Sequence, residues 1–368
     1  MSDETLNPKT KKKICLEDIE IFPSNLYYLS TLYRGNSSNV YLMHNKMFLY
    51  VVKSVFIGDS NKAKVNDKLV KNVINEKKIS KRINHPFIIH YVKTLKNSQW
   101  CFFIQEYIHG ITLQEYIEMC KPSQDRSLIQ FYSACLFIIL HYLSTNGIIH
   151  RDIKPSNLML DTQGYLKMID FSSAKSIKNK RTKTLIGTPF FTAPEVLSGK
   201  GYSFSVDYWS VGVVLYYLFY GEYPFGSSAK QPDAAYKEIL NKKLTFQNYG
   251  QNVEVESLIE GLLKKNENER LCSFKQIENL GIFKNFNWNK LRRMELSAPF
   301  IPQVVKISEE KMLKDTSKKF NDFIANEKID KNSIPVKLDK DVVMSSIDEM
   351  NGNDNFTKIN ETNWFDIF

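Results

Sequence analysis

Residues 150–157 read His-Arg-Asp-Ile-Lys-Pro-Ser-Asn, which sets a carboxylate, an ammonium and an amide within one short stretch. Attack of a hydroxyl on the terminal phosphate of a nucleotide needs these three groups. It requires an acceptor for the hydroxyl proton, a cation beside the transferred group and an oxygen ligand for a divalent metal. Asp152, Lys154 and Asn157 supply them in that order. A charged loop capping a helix would use similar residue types, so the meaning of the cluster depends on the elements that carry it.

Those elements change character along the chain. Residues 1–24 are polar with a short basic run, Lys11-Lys12-Lys13, and read as a flexible arm. Across residues 27–55, Tyr27, Tyr41, Tyr50, Val51 and Val52 are broken by turn formers at 35–39 and at His44-Asn45, which predicts an antiparallel hairpin. Leu69, Val73, Ile79 and Ile83 recur at helical spacing until His85-Pro86 ends the segment. Strands are predicted again over 87–92 and 101–107. From Gly110 the texture is helical, with short strands over 158–160 and 166–169 around the turn at Asp161–Gly164. The fold class is therefore α+β, a β-rich first part followed by an α-rich second part.

Composition narrows the function classes. The hydrophobic share of 43% and charged share of 24% are those of an ordinary folded chain. Residues 301–368 hold ten lysines and thirteen acids, a net of −3 against +10 for the whole, so the body is more basic than its tail. The lysines are scattered and no arginine-rich or Gly-aromatic module accompanies them, so no nucleic-acid partner is expected. Cys15, Cys101, Cys120, Cys135 and Cys272 are widely spaced, without metal-ligand or disulfide patterning. Residues 131–149 are long enough to cross a bilayer, but His141, Ser144, Thr145 and Asn146-Gly147 interrupt them. A buried helix ending in a turn is predicted there, and no membrane insertion. The start of the chain carries no signal-peptide pattern, and a cytoplasmic location, also compatible with the nucleus, is expected.

Over about residues 27–286 the chain resembles the eukaryotic protein kinases. The resemblance rests on the 150–157 loop and on Asp170-Phe171-Ser172 in the place of Asp-Phe-Gly. It extends to Val51-Val52-Lys53, Asn75-Glu76-Lys77, Gly187-Thr188-Pro189, Ala193-Pro194-Glu195, Asp207 to Gly212 and Arg270-Leu271. It implies a two-lobe fold, with an N-lobe over 25–108 and a C-lobe over 109–286, using ATP and Mg²⁺. Lys53, paired with Glu76, would grip the α- and β-phosphates. Gly35 and Val40 belong to the phosphate-cradling loop, where Tyr33 and Ser38 replace two of the family's glycines. Glu106 and Ile108 would meet adenine through their backbone beside Gln105. Asn157 and Asp170 would hold the metal, and Thr188 would line the substrate site. Asp207 would hold the catalytic-loop backbone, and Glu195 and Arg270 would form a buried ion pair.

Ala298 to Pro302, Asp315-Thr316-Ser317 and the terminal Phe365-Asp366-Ile367-Phe368 resemble the tail of the cyclic-nucleotide-dependent kinases of the AGC group. By that resemblance residues 287–368 wrap the small lobe, Phe365 and Phe368 insert beside the Glu76 helix, and Phe320 or Phe323 lies near adenine. Thr182 aligns with the activation-loop phosphosite, with Arg151 and Lys175 to neutralise the phosphate. The implied activity is Ser/Thr protein kinase acting on protein substrates. An upstream activating kinase and a separate cyclic-nucleotide-binding regulatory subunit are the implied partners. The alternative is a pseudokinase or scaffold, suggested by the altered glycine loop and by Ser172, which lacks glycine's conformational freedom. Thr112, Ser156 and Tyr217 stand where the family carries acids that read basic substrate residues, which predicts loss of that preference.

Overall fold

The aromatic and β-branched residues near the N-terminus form three strands rather than a single hairpin. In a computed structural model of the chain the described residues are 23–303 without 36–37, 60–63, 66, 98, 121–123, 178–180, 228–230 and 247–250, together with 319, 320, 322 and 323. They fall into two compact units. The first draws on residues 1–58, 92–107 and 307–368, and the second on 59–91 and 108–306.

In the first unit, β1 (Tyr27–Arg34), β2 (Ser38–His44) and β3 (Leu49–Phe56) pair antiparallel in succession. Beyond the short pair β4 (Gly58–Asp59) and β5 (Lys64–Val65) and the helix α1 (Asp67–Ser80) come β6 (Tyr91–Lys96) and β7 (Trp100–Glu106), completing a sheet of order β1-β2-β3-β7-β6. Directly paired residues share a face of a sheet. Val40 opposite Lys53, Lys53 opposite Phe103 and Val51 opposite Gln105 therefore put all five on one face. The other face carries Tyr41, Met43, Tyr50, Val52, Phe102 and Ile104, packed with Leu26, Phe320 and Phe323 in one apolar cluster. Phe323 stacks on Tyr28 with ring centroids 4.2 Å apart, and Phe320 meets Phe102 edge-on at 5.0 Å. The Phe320 N–H donates to the Leu26 carbonyl at 2.8 Å, which locks this short tail piece to the start of β1. Neither ring lies on the face of Lys53, which corrects the expectation that one of them approaches adenine. Their apolar area is spent on closing the opposite side of the sheet.

The second unit is built around α3 (Arg126–Thr145), which follows β8 (Gly110–Thr112) and α2 (Leu113–Met119). The Asp125 side chain caps α3 by accepting from the Ser127 N–H, and the helix stops at Asn146 before Gly147 in the left-handed region at φ 68°. This helix is long and apolar enough to cross a membrane by length and composition, yet thirteen of its residues are buried in the protein core. After it come β9 (Ile148–Ile149), β10 (Leu158–Asp161), β11 (Leu166–Met168) and β12 (Lys175–Ser176), then α4 (Pro194–Leu197) and α5 (Ser205–Tyr220). The last helices are α6 (Pro232–Asn241), α7 (Val253–Leu262), α8 (Phe274–Ile277) and α9 (Trp288–Arg292). A side chain at Gly212 of α5 would come within 2.9 Å of Leu262 and Leu263, so the glycine is what permits this close helix packing. The strand predicted over 87–92 begins only at Tyr91. Phe87 and Ile89 instead exchange backbone hydrogen bonds with Met168 of β11, which draws them into the second unit's core.

Phe323→Ala or Phe320→Ala removes a buried ring from a small cluster and is expected to cost about 3–5 kcal/mol. Urea unfolding followed by circular dichroism measures it, and a cost under about 1 kcal/mol would mean that the sheet closes without the tail.

Candidate active site

The loop between β9 and β10 departs from regular structure at one residue. Arg151 has φ 70°, a conformation unusual for a side-chain-bearing residue, so neighbouring groups must hold it. The holder is Asp207 in the first turn of α5. Its two carboxylate oxygens accept the backbone N–H groups of His150 and Arg151, each at 2.8 Å. Desolvation raises the Asp207 pKa, while His150, the two N–H donors and Arg151 pull it back. His150 itself is buried against the Phe171 ring, centroids 5.0 Å apart.

The turned loop gathers the three residues singled out by sequence. Asp152 Oδ1 accepts the Thr188 hydroxyl at 2.8 Å and the Thr188 N–H at 3.1 Å. Lys154 Nζ lies 3.0 Å from Asp152 Oδ2 and donates to Thr188 Oγ1 at 3.0 Å. Asn157 Nδ2 donates to the Asp152 carbonyl at 2.9 Å and to Oδ2 at 3.2 Å, which leaves Asn157 Oδ1 turned away from Asp152. A carboxylate that holds one hydroxyl at hydrogen-bond distance beside an ammonium can hold a second and take its proton.

Asp170 is brought to the same loop by the backbone, since the Ile169 N–H donates to the Asn157 carbonyl at 2.9 Å. It is also left-handed, at φ 59°, and its Oδ1 accepts the Ser172 N–H at 3.2 Å. Ser172 has no positive φ, so serine fits here without the freedom of glycine. One carboxylate and one amide oxygen suit a hard cation whose other ligands are phosphate and water. Among the described residues no group of three or more His, Cys, Asp or Glu side chains gathers as a metal site by itself.

The remaining predicted residues are placed within each unit. In the first, Lys53 is 9% exposed and has the Phe103 ring 6.0 Å from its ammonium. The Tyr33 ring lies against Gly35, within 2.5 Å of where a Cβ would stand, but that ring is largely exposed and could swing aside. Glu106 ends β7. In the second unit Glu76 is buried on α1, whose Asn75 Nδ2 donates to the Ala174 carbonyl at 2.7 Å, and Ile108 belongs to the large core. Phe365 and Phe368 lie outside the described residues.

Thr182 is 4% exposed and exchanges backbone hydrogen bonds with Tyr202. Its hydroxyl accepts from Lys175 Nζ at 2.8 Å, and Arg151 donates to the Ser173 carbonyl and reaches the Tyr202 hydroxyl at 3.5 Å. Desolvation, with the charge of Arg151 adding to it, holds Lys175 below the usual lysine range. The three residues predicted to meet around a phosphate are thus together in the unmodified chain. Tyr202 was missed by sequence reasoning, and no motif marks it. Its hydroxyl donates to the Thr184 carbonyl at 2.6 Å, and Thr184 itself is exposed. Beneath this segment Arg270 makes a two-bond pair with Glu195, at 2.5 and 2.9 Å, and also donates to the Ser205 carbonyl at 3.0 Å.

An antiparallel β unit, a helical unit and a loop of this composition held by a buried aspartate define a protein kinase domain. A family model described as "protein kinase domain" matches residues 28–280, and the chain belongs to that family. It is similar to a cGMP-dependent protein kinase of Plasmodium berghei (strain Anka), 34% identical over 87% of this chain and 37% of that protein. It is also similar to the serine/threonine-protein kinase sgk-1 of Caenorhabditis elegans, 32% identical over 87% of this chain and 66% of the relative. The cAMP-dependent protein kinase catalytic subunit of Dictyostelium discoideum is 32% identical over 73% of this chain and 41% of its own length. The chain spans only about a third of the length of the cGMP-dependent relatives it matches.

Arg270→Ala would strand the Glu195 carboxylate inside the protein, an expected loss of about 3–5 kcal/mol. Guanidinium unfolding checks this, with Glu195→Gln in the Arg270→Ala background expected to recover part of it.

Proposed function

We propose that the chain is a Ser/Thr protein kinase that transfers the γ-phosphate of ATP to a protein hydroxyl. The observation that carries the reading is the Thr188 hydroxyl seated between Asp152 Oδ1 and Lys154 Nζ, at 2.8 and 3.0 Å. A substrate hydroxyl taking a similar position beside Asp152 hands its proton to that carboxylate as its oxygen attacks the γ-phosphorus, and the bond from that phosphorus to the β,γ-bridging oxygen breaks to release ADP. Lys154 balances charge on the transferred group. Asn157, with Nδ2 tied to Asp152, would offer Oδ1, and Asp170 its carboxylate, to a bound Mg²⁺. Bound Mg²⁺ supplies charge neutralisation along the phosphates. Thr188 keeps the Asp152 carboxylate oriented, and Lys53 grips the α- and β-phosphates.

Thr182 is proposed as a regulatory phosphosite served by an upstream kinase. A phosphate there brings close to two negative charges against Lys175 and Arg151. Modification requires the Thr182–Tyr202 backbone pairing to open first. The words catalytic subunit in the name of the cAMP-dependent relative support a separate nucleotide-binding subunit as a further regulator.

The test is ³²P transfer from ATP and Mg²⁺ to a Ser/Thr peptide library. Asp152→Asn is expected to lower kcat by about 10²–10⁴-fold, and Asp170→Ala to abolish Mg²⁺-dependent transfer. Absence of transfer by the unmutated chain, with ATP still bound, would leave a nucleotide-binding scaffold. For the regulatory site, phosphopeptide mapping of active protein is expected to find phosphate on Thr182, and Lys175→Ala to blunt its activation. Phosphate confined to the exposed Thr184 would move the regulatory role two residues along.

A further inference from the structure

The first strand carries an extra residue just before the 33–40 segment. Thr31 of β1 stands opposite Tyr41 of β2, so an unbroken ladder would next pair Leu32 with Val40 and Tyr33 with Asn39. The register instead shifts between Thr31 and Tyr33, and Tyr33 stands opposite Val40. A bulge of this kind gives up one ladder position and re-aims the side chain that follows it. Here it moves a ring to the other face of the sheet. Tyr41 belongs to the apolar cluster on the side closed by Phe320 and Phe323, whereas Val40 is opposite Lys53. Tyr33 therefore shares the face of Lys53, two strand spacings or about 10 Å from it across the sheet.

The side chain turned to that face is uncommitted. Tyr33 is 60% exposed, and its hydroxyl makes no hydrogen bond with another described residue. Pairing and packing alone do not favour this placement, since the bulge forgoes a ladder position and leaves the ring in solvent. The ring edge and the hydroxyl lie over Gly35, 2.5 and 2.9 Å from where a side chain there would begin. The Gly35 N–H already donates to the Ser38 carbonyl at 3.0 Å. At this point of the segment the donor left for a ligand is the phenol, not the backbone.

We propose that Tyr33 is a nucleotide-contacting residue peculiar to this chain, its hydroxyl donating to a phosphate oxygen of the ATP that Lys53 grips. The assignment rests on the kinase reading and deepens it by adding a donor where the resemblance shows only a lost glycine. Two long side chains rising from one face at that separation bracket a run of phosphates between their tips. A hydroxyl donating to an anionic oxygen makes a hydrogen bond of the stronger, charge-assisted kind. Glycine at position 33 would bring no donor beyond its amide.

The experiment is isothermal titration of the whole chain with ATP, ADP and adenosine, each with Mg²⁺, so that binding is read without turnover. Tyr33→Phe is expected to weaken ATP and ADP about tenfold and to leave adenosine unchanged. Tyr33→Gly is expected to lose at least as much. The melting temperature of Tyr33→Phe should match that of the unmutated chain, because the ring is exposed. Nitration by tetranitromethane, mapped by mass spectrometry, gives a second readout in which ATP slows modification of Tyr33 and adenosine does not. ATP affinity unchanged in Tyr33→Phe would overturn the assignment. So would tighter ATP binding by Tyr33→Gly, which would make the ring an obstruction, or an equal loss for adenosine, which would move the contact to the nucleoside. Tyr33-dependent ATP binding without ³²P transfer to peptide would sink the kinase activity and leave the contact standing. Transfer with an ATP affinity indifferent to Tyr33→Phe would do the reverse.

Discussion

The catalytic loop depends on a buried carboxylate that never meets the substrate. Asp207 grips two consecutive N–H groups and so holds Arg151 in a left-handed conformation that its side chain disfavours. That turn aims Asp152, Lys154 and Asn157 at one place and sends the Arg151 guanidinium the other way, toward Ser173 and Tyr202. The local strain and the cost of desolvating Asp207 are offset by two charge-assisted hydrogen bonds. α5, which carries Asp207, is buried along almost its whole length. The loop geometry is therefore anchored to a buried helix of the second unit.

The same economy of contacts links the Asp152 loop to the proposed phosphosite at Thr182. Arg151 is adjacent in sequence to Asp152 and two hydrogen bonds away from the Thr182 segment through Tyr202. A change of charge at Thr182 therefore acts on a residue whose backbone is half of the Asp207 clamp. The Glu195 and Arg270 pair beneath it is a second fixed point, so the segment between residues 182 and 195 is held at both ends.

What the sequence disclosed was whatever is local. Asp152, Lys154, Asn157 and Asp170 are legible because one loop and one short neighbouring strand bring them together, so their spacing along the chain already encodes their grouping. The helix predicted within 131–149 was legible at its end, where the turn at Asn146-Gly147 is written into it, but it starts earlier, at Arg126, and Ile148–Ile149 form β9. The contact of Gln114 with Tyr217 was not legible, since it joins residues 103 positions apart. The burial of Thr182 was equally hidden, because its pairing with Tyr202 depends on how two irregular segments lie together.

The closure of the first sheet by Phe320 and Phe323 has a bearing on the birth of the molecule. A chain emerging from the ribosome presents β1 to β7 long before residue 320 exists. Through the synthesis of the whole second unit, Tyr41, Val52 and Ile104 wait without two of the rings that later cover them. An apolar sheet face left open for that interval is the kind of surface that chaperones bind and that aggregation exploits. Any shortened product ending before Lys319 would leave that face without these two rings, so contacts made this late also distinguish it from the longer chain.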